Sequence, residues 1–257
     1  MEIKVIVATH KAYRMPQDDI YVPVHAGRNS AVVQDDILAS FTGDDSGDNI
    51  SGKNKNYCEL TALYWAWKNL DCDYLGLAHY RRHFKMRKNT DKWRSILDKT
   101  MAEKLLLEYN VILPVKRNYF IETTYNQYVH AHNRQDLDKT LEILTEDYPQ
   151  YVPAWDKVMK STSGHRFNMF IMKKEILDGY LTWLFDILFK LEDRLDISAY
   201  SDNDKRVFGF VSERLLDVWL LTNNISYTEL PVVNMESQNW PKKIFNFLKR
   251  KFIGKAR

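Results

Sequence analysis

Tyr74-Leu-Gly-Leu-Ala-His-Tyr-Arg-Arg-His-Phe84 is an apolar, strand-like run that ends abruptly in two adjacent arginines flanked by histidines and aromatic residues. Guanidinium groups are always charged and carry planar, forked donors suited to phosphate. In open α/β sheets, ligands sit beyond the carboxyl ends of the strands. The run therefore reads as a buried strand delivering a cationic end to an anionic ligand. A solvated strand end, with Arg81 and Arg82 paired to nearby acids, accounts for the same residues.

Working outward, residues 57–69 carry good helix formers, with apolar spacing at Leu60, Leu63, Tyr64 and Trp67, and feed the Tyr74 strand. Residues 3–8 and 21–25 read as strands, and 42–56 as a polar loop dense in glycine, asparagine and aspartate. A helix at 98–109 leads into a strand at 111–114, and 134–146 reads as a further helix. A strand at 167–172, helices at 174–191 and 212–223, and a late strand within 225–233 follow. This alternation predicts an α/β domain with a mostly parallel central sheet flanked by helices.

A chain of 257 residues, 45% hydrophobic, is enough for one large domain with a full core. Two cysteines, Cys58 and Cys72, argue against a disulfide-stapled secreted fold and favour the cytoplasm. The amino-terminal run reads as a first strand rather than a signal peptide. No window approaches the roughly 20 apolar residues of a membrane span. The net charge of +3 hides a segregation: residues 241–257 hold seven basic residues and no acid, leaving 30 basic against 34 acidic residues in the remainder. In helical projection Ile244, Phe245, Phe247, Leu248 and Phe252 oppose Lys243, Lys249 and Arg250. We expect two regions, a catalytic-sized domain over 1–235 and a basic amphipathic helix over 236–257, the latter peripheral on an anionic membrane. A helix docked on its own core with a solvated basic face is the alternative for the tail. Nucleic acid is not an expected partner, because the body has no basic stripe and no recognised binding motif.

Several strings together carry a resemblance. Asn49-Ile-Ser with Asn54, the run 57–69, Gly76-Leu-Ala-His-Tyr-Arg-Arg-His-Phe84, Asn168-Met-Phe-Ile-Met172 and Phe208-Gly-Phe-Val-Ser-Glu-Arg-Leu215 resemble, in that order, a bacterial family of domains of unknown function. Its members are associated with capsular and exopolysaccharide biosynthesis as glycosyltransferases. The resemblance implies a GT-A-like nucleotide-sugar fold and transfer of a hexose, galactofuranose or galactose, from a UDP-sugar to a growing lipid-linked glycan at the inner membrane face. A non-catalytic nucleotide-sugar-binding or assembly protein of the same pathway is the alternative.

GT-A enzymes commonly end a central strand in Asp-x-Asp, whose carboxylates hold a divalent ion against the donor pyrophosphate. Here the strand ends in His79-Tyr-Arg-Arg82, so transfer without metal or cofactor is expected, the arginines offsetting the charge on the departing diphosphate. Asp71-Cys-Asp73 and Asp202-Asn-Asp204 read as turn and capping residues. Candidate donor-binding residues are Thr9, His10 and Lys11 after the first strand, Asp48 and Asn49 in the polar loop, and Arg81 and Arg82. His165, Arg166 and Asn168 are acceptor-site candidates. Glu213 is the candidate general base, with His79 or His165 as its substitute. A helix-start role, Ser212 capping and Glu213 stabilising the first turn, competes for that glutamate. Trp65, Trp67 and Trp219 read as core.

Overall fold

The structure, a computed structural model, describes residues 1–30, 35–86 and 91–236. Strands are β1 (Ile3–Thr9), β2 (Tyr21–His25), β3 (Thr42–Gly43), β4 (Tyr74–His79), β5 (Arg82–Phe84), β6 (Val111–Pro114), β7 (Arg117–Asn118), β8 (Ser163–Gly164), β9 (Phe170–Lys173), β10 (Thr228–Leu230) and β11 (Val232–Asn234). Helices are α1 (Asp36–Ser40), α2 (Asn54–Tyr57), α3 (Leu60–Asn69), α4 (Lys99–Leu106), α5 (Thr124–Val129), α6 (Arg134–Asp147), α7 (Val152–Lys160), α8 (Lys174–Arg194) and α9 (Val207–Thr222).

The main sheet runs β10-β6-β9-β4-β1-β2-β3. β1 pairs in parallel with β2 and β4, β2 with β3, and β10 with β6, while β9 lies antiparallel between β4 and β6. Alternation along the strands divides the core between two faces. Ile6, Ala8, Leu75 and Leu77 pack beneath α3, α6, α7, α8 and α9, whereas Val5, Val7, Tyr74 and Ala78 face α4. β2 and β4 flank β1 on opposite sides, which makes the carboxyl end of β1 the switch point where α/β sheets open a crevice.

The largely parallel sheet and its helices match the expected fold class, and Trp65 and Trp219 are core residues. Two boundaries differ in ways that matter. α9 begins at Val207, five residues earlier than its sequence suggests, because Val207, Phe208, Val211 and Leu215 are all buried and that packing overrides the glycine at 209. Ser212 and Glu213 consequently lie in the second turn of α9, and the helix-start role for Glu213 does not hold. β9 starts at Phe170 because Phe167 and Asn168 adopt φ values of 79° and 53°. From position 237 onward, the expected tail helix lies outside the described residues.

Candidate active site

A cleft of about 590 Å³ opens at the carboxyl ends of β1 and β4. β1 supplies Thr9 and His10. The Thr9 hydroxyl donates to Lys11 O at 2.6 Å and accepts from Lys11 N at 3.2 Å, closing the turn that turns His10 into the cleft wall. β4 runs through a tight hairpin into β5, His79 facing Arg82, so that His79, Tyr80, Arg81 and Arg82 all line the opening.

The opposite wall is built on α9 and on the segment before β9. Arg206, Phe210, Glu213 and Arg214 recur at helical spacing and share one face. Against them stand the consecutive left-handed residues Phe167 and Asn168, a conformation costing about 1–2 kcal/mol at each non-glycine position. Both are held from several sides. Phe167 N donates to Glu213 Oε1 at 3.1 Å and Phe167 O accepts from His79 Nε2. Asn168 Nδ2 donates to Glu59 Oε1 at 2.7 Å and to Gly209 O at 3.1 Å, and its Oδ1 accepts from the Ser212 hydroxyl at 3.0 Å. Strained backbone so fully determined by its neighbours clusters at functional sites.

The cleft is strongly cationic, with six arginines (81, 82, 117, 166, 206 and 214) and Lys55 against two carboxylates, Glu59 and Glu213. The arginines differ in how far they are engaged. Arg214 is buried, donating to Phe210 O, Glu213 Oε2 and Gln127 Oε1. Arg166 is buried against His165 O, Thr124 and Tyr119. Arg81 pairs with Glu236 at 3.3 Å. Arg82 lies 4.5 Å over the Phe167 ring and makes no hydrogen bond or ion pair through its side chain among the described residues. Burial, reinforced by the Arg81 charge, lowers the Arg82 pKa, with Glu213 and Glu59 acting the other way. Among the described residues the Arg206 side chain donates only to Cys58 Sγ, at 3.1 Å, and Arg117 is exposed. Arg82, Arg117 and Arg206 are thus poised for an anion from outside.

The geometry also defines proton acceptors. Each Glu213 oxygen accepts one hydrogen bond and keeps a lone pair free. His79 donates Nε2–H to a carbonyl, which leaves Nδ1 as the acceptor in the neutral ring. His132 stacks on Phe210 at 4.2 Å and faces Asp204 through Nδ1; burial pushes its pKa down to about 4. Burial raises the Cys58 thiol to about 11, too high for a thiolate nucleophile at neutral pH.

Of the residues singled out in the sequence, Thr9, His10, His79, Arg81, Arg82, Arg166 and Glu213 meet in this cleft. Lys11 sits beside it, 3.6 Å from Glu236. Asn168 is buried behind the wall, supporting Glu59. His165 is fully buried, with Nδ1 facing Asp217 and Nε2 facing Glu229 at 2.9 Å. Asp48 and Asn49 are not part of the cleft lining: the Asp48 carbonyl accepts from Asn69, and the Asn49 amide closes onto Gly47 O. Gln127 and His132, with Tyr125 and His130, belong to a polar-aromatic cluster whose sequence suits sugar stacking or a solvated loop, whereas Arg117, Arg206 and Arg214 are not singled out by the sequence. A signal for two of them was present, since Arg206, Phe210 and Arg214 are spaced by four.

The described residues of the cleft do not fit a divalent metal. Both cleft carboxylates are tied to Asn168, Phe167 and Arg214 among guanidinium groups, and Asp204 is committed to His132 and Ser201. Among the described residues no three histidine, cysteine, aspartate or glutamate side chains form a candidate metal site, and no helix is long and apolar enough to cross a membrane.

The profile of a family described as a domain of unknown function, DUF4422, matches residues 4–224. No curated protein matches. Among solved structures, the apo form of the bifunctional glycosyltransferase WbbM is similar, with a TM-score of 0.84 and 29% identity over 92% of this chain. The aligned region is 46% of that protein, so the chain spans about half its length.

Proposed function

The chain belongs to the DUF4422 family, and from that membership and the geometry of the cleft we propose that it is a nucleotide-sugar-dependent glycosyltransferase working without a divalent metal. The observation that carries this reading is the gathering of seven permanent cations against two carboxylates at the switch point of the sheet. A nucleoside diphosphate there would be held by Arg82, Arg117 and Arg206, whose charge stabilises the leaving diphosphate as the anomeric C–O bond breaks. The acceptor hydroxyl attacks the anomeric carbon, forming the new glycosidic C–O bond, and its proton passes to Glu213. His79 Nδ1 is the substitute base. Similarity to a bifunctional glycosyltransferase supports transfer as the reaction.

The finer assignment rests on the family resemblance. The donor is a UDP-hexose, galactofuranose or galactose. The acceptor is a lipid-linked capsular, exopolysaccharide or O-antigen glycan at the inner membrane face, with the basic tail as an anchor. A panel of nucleotide sugars, incubated with the protein and acceptor extract in excess chelator, tests it. Nucleotide release from one UDP-hexose, with thermal stabilisation by UDP, is expected. Binding without release from any donor would indicate the assembly protein instead, and release that requires manganese or magnesium would refute the metal-free mechanism.

A further inference from the structure

A second surface lies on the far side of the β7 strip from the cleft. Residues 115–121 pass between two openings: Arg117 and Tyr119 line the cleft, while Lys116 lines a smaller pocket of about 320 Å³ shared with Lys157, Ser163, Leu221 and Tyr227. Large apolar side chains stand out to solvent here, with Phe120 80% exposed, Ile121 59%, Val115 51% and Leu221 38%. Scattered single apolar residues need no explanation, but a group of them does. Phe120 is held at φ 57°, a conformation L residues rarely adopt, by Phe120 N donating to Asn118 Oδ1 and Ile121 N to Tyr119 O. The strip is tied to its neighbour by the β7–β8 pairing and by Tyr119 N donating to Thr162 O.

Three exposed cations share this surface, Lys116 on the strip and Lys157 and Lys160 on α7. None is in an ion pair among the described residues. The carboxylates nearby are Asp217 and Glu229, both facing His165, and Asp156, one turn from Lys160. Apolar side chains ringed by unneutralised cations are complementary to an anionic bilayer, where the charges meet headgroups and the apolar tips enter the interface. The basic tail is a poor occupant, because residues 237–257 carry only positive charge. We propose that Val115, Phe120, Ile121 and Leu221, with Lys116, Lys157 and Lys160, form a membrane-docking face that sets the cleft mouth against an anionic lipid surface.

Vesicle partitioning of the full chain tests this without any donor or acceptor, so it stands apart from the transfer reaction. Phosphatidylcholine vesicles containing phosphatidylglycerol should bind the wild type, and plain phosphatidylcholine should bind it far less. The Phe120→Ser/Ile121→Ser and Lys157→Glu/Lys160→Glu proteins should each partition at least about tenfold more weakly, since each cation near such a surface contributes roughly fivefold. Leu107→Ser, changing an exposed apolar residue on α4's end, should have no effect. Unchanged partitioning of both double variants would overturn the proposal. So would loss of self-association in those variants with vesicle binding intact, which would assign the face to a second copy of the chain. Matched melting temperatures distinguish lost docking from lost fold, and the charge variant alters only exposed positions.

Discussion

At the residue scale, the proposed mechanism assigns the leaving group and the nucleophile to different side chains, so the two roles can be tested separately. Glu213 receives the Phe167 amide and the Arg214 guanidinium, so Glu213→Gln keeps an acceptor oxygen but loses the basic carboxylate. Turnover should fall at least about a hundredfold while UDP affinity stays near wild type. Stopped-time product assays beside calorimetry read both quantities, and normal turnover would move the base to His79. Arg81 and Arg82 drew attention to this end of the strand in the sequence, and both line the cleft, although Arg81 is also paired with Glu236 as a solvated strand end would be. The role of Asn168 was not legible. Its amide bridges Glu59, Gly209 and Ser212, three residues remote in sequence, and the positive φ values at 167–168 leave no compositional mark.

At the scale of elements, the sheet could be read from its apolar runs and the helices from their spacing. The start of α9 could not, since a glycine in an all-buried helix looks like a break until its packing is known. α5 is not legible either, since its polar-aromatic residues suit a sugar-stacking cluster as well as a solvated loop. Gly76 tests how tightly the central strands are fitted. A Cβ there would stand 2.8 Å from Ile171 Cγ1 and 2.9 Å from the Phe170 carbonyl, and backbone cannot yield as a side chain can. Gly76→Ala should force β4 from β9 and destabilise the protein by about 1–3 kcal/mol. A urea midpoint unchanged from wild type would show that the sheet is looser than its geometry.

Across the whole molecule, buried histidines set the acid sensitivity. Burial pushes both His83 and His132 from 6.5 down to about 4, and neither His83 ring nitrogen has a hydrogen-bond partner among the described residues. Above pH 6.5 these rings are neutral folded or unfolded. Between pH 6.5 and 4 the unfolded chain takes up protons that the folded one refuses, so stability falls as pH falls, by about 1.4 kcal/mol per pH unit for each proton. Asp136 opposes this: burial raises it to about 6, so it accepts its proton first in the folded state. The two histidines outweigh the one carboxyl. The melting temperature should drop between pH 7 and pH 5, and His83→Phe should shrink that drop; an undiminished drop would place the sensitivity elsewhere.

Guanidinium groups dominate the cleft at the centre of the molecule, and the proposed mechanism gives them the role that a metal ion would otherwise fill. Arg82 is the most direct probe, being half-buried beside Arg81 with no side-chain hydrogen bond or ion pair among the described residues. UDP titrated calorimetrically into chelator-treated wild type and Arg82→Ala is the deciding measurement. Binding should persist in the chelator and weaken in the variant by about 1.5–3 kcal/mol, the contribution of one charge-assisted hydrogen bond. UDP binding that appears only with added manganese or magnesium, or that is indifferent to Arg82→Ala, would contradict the account.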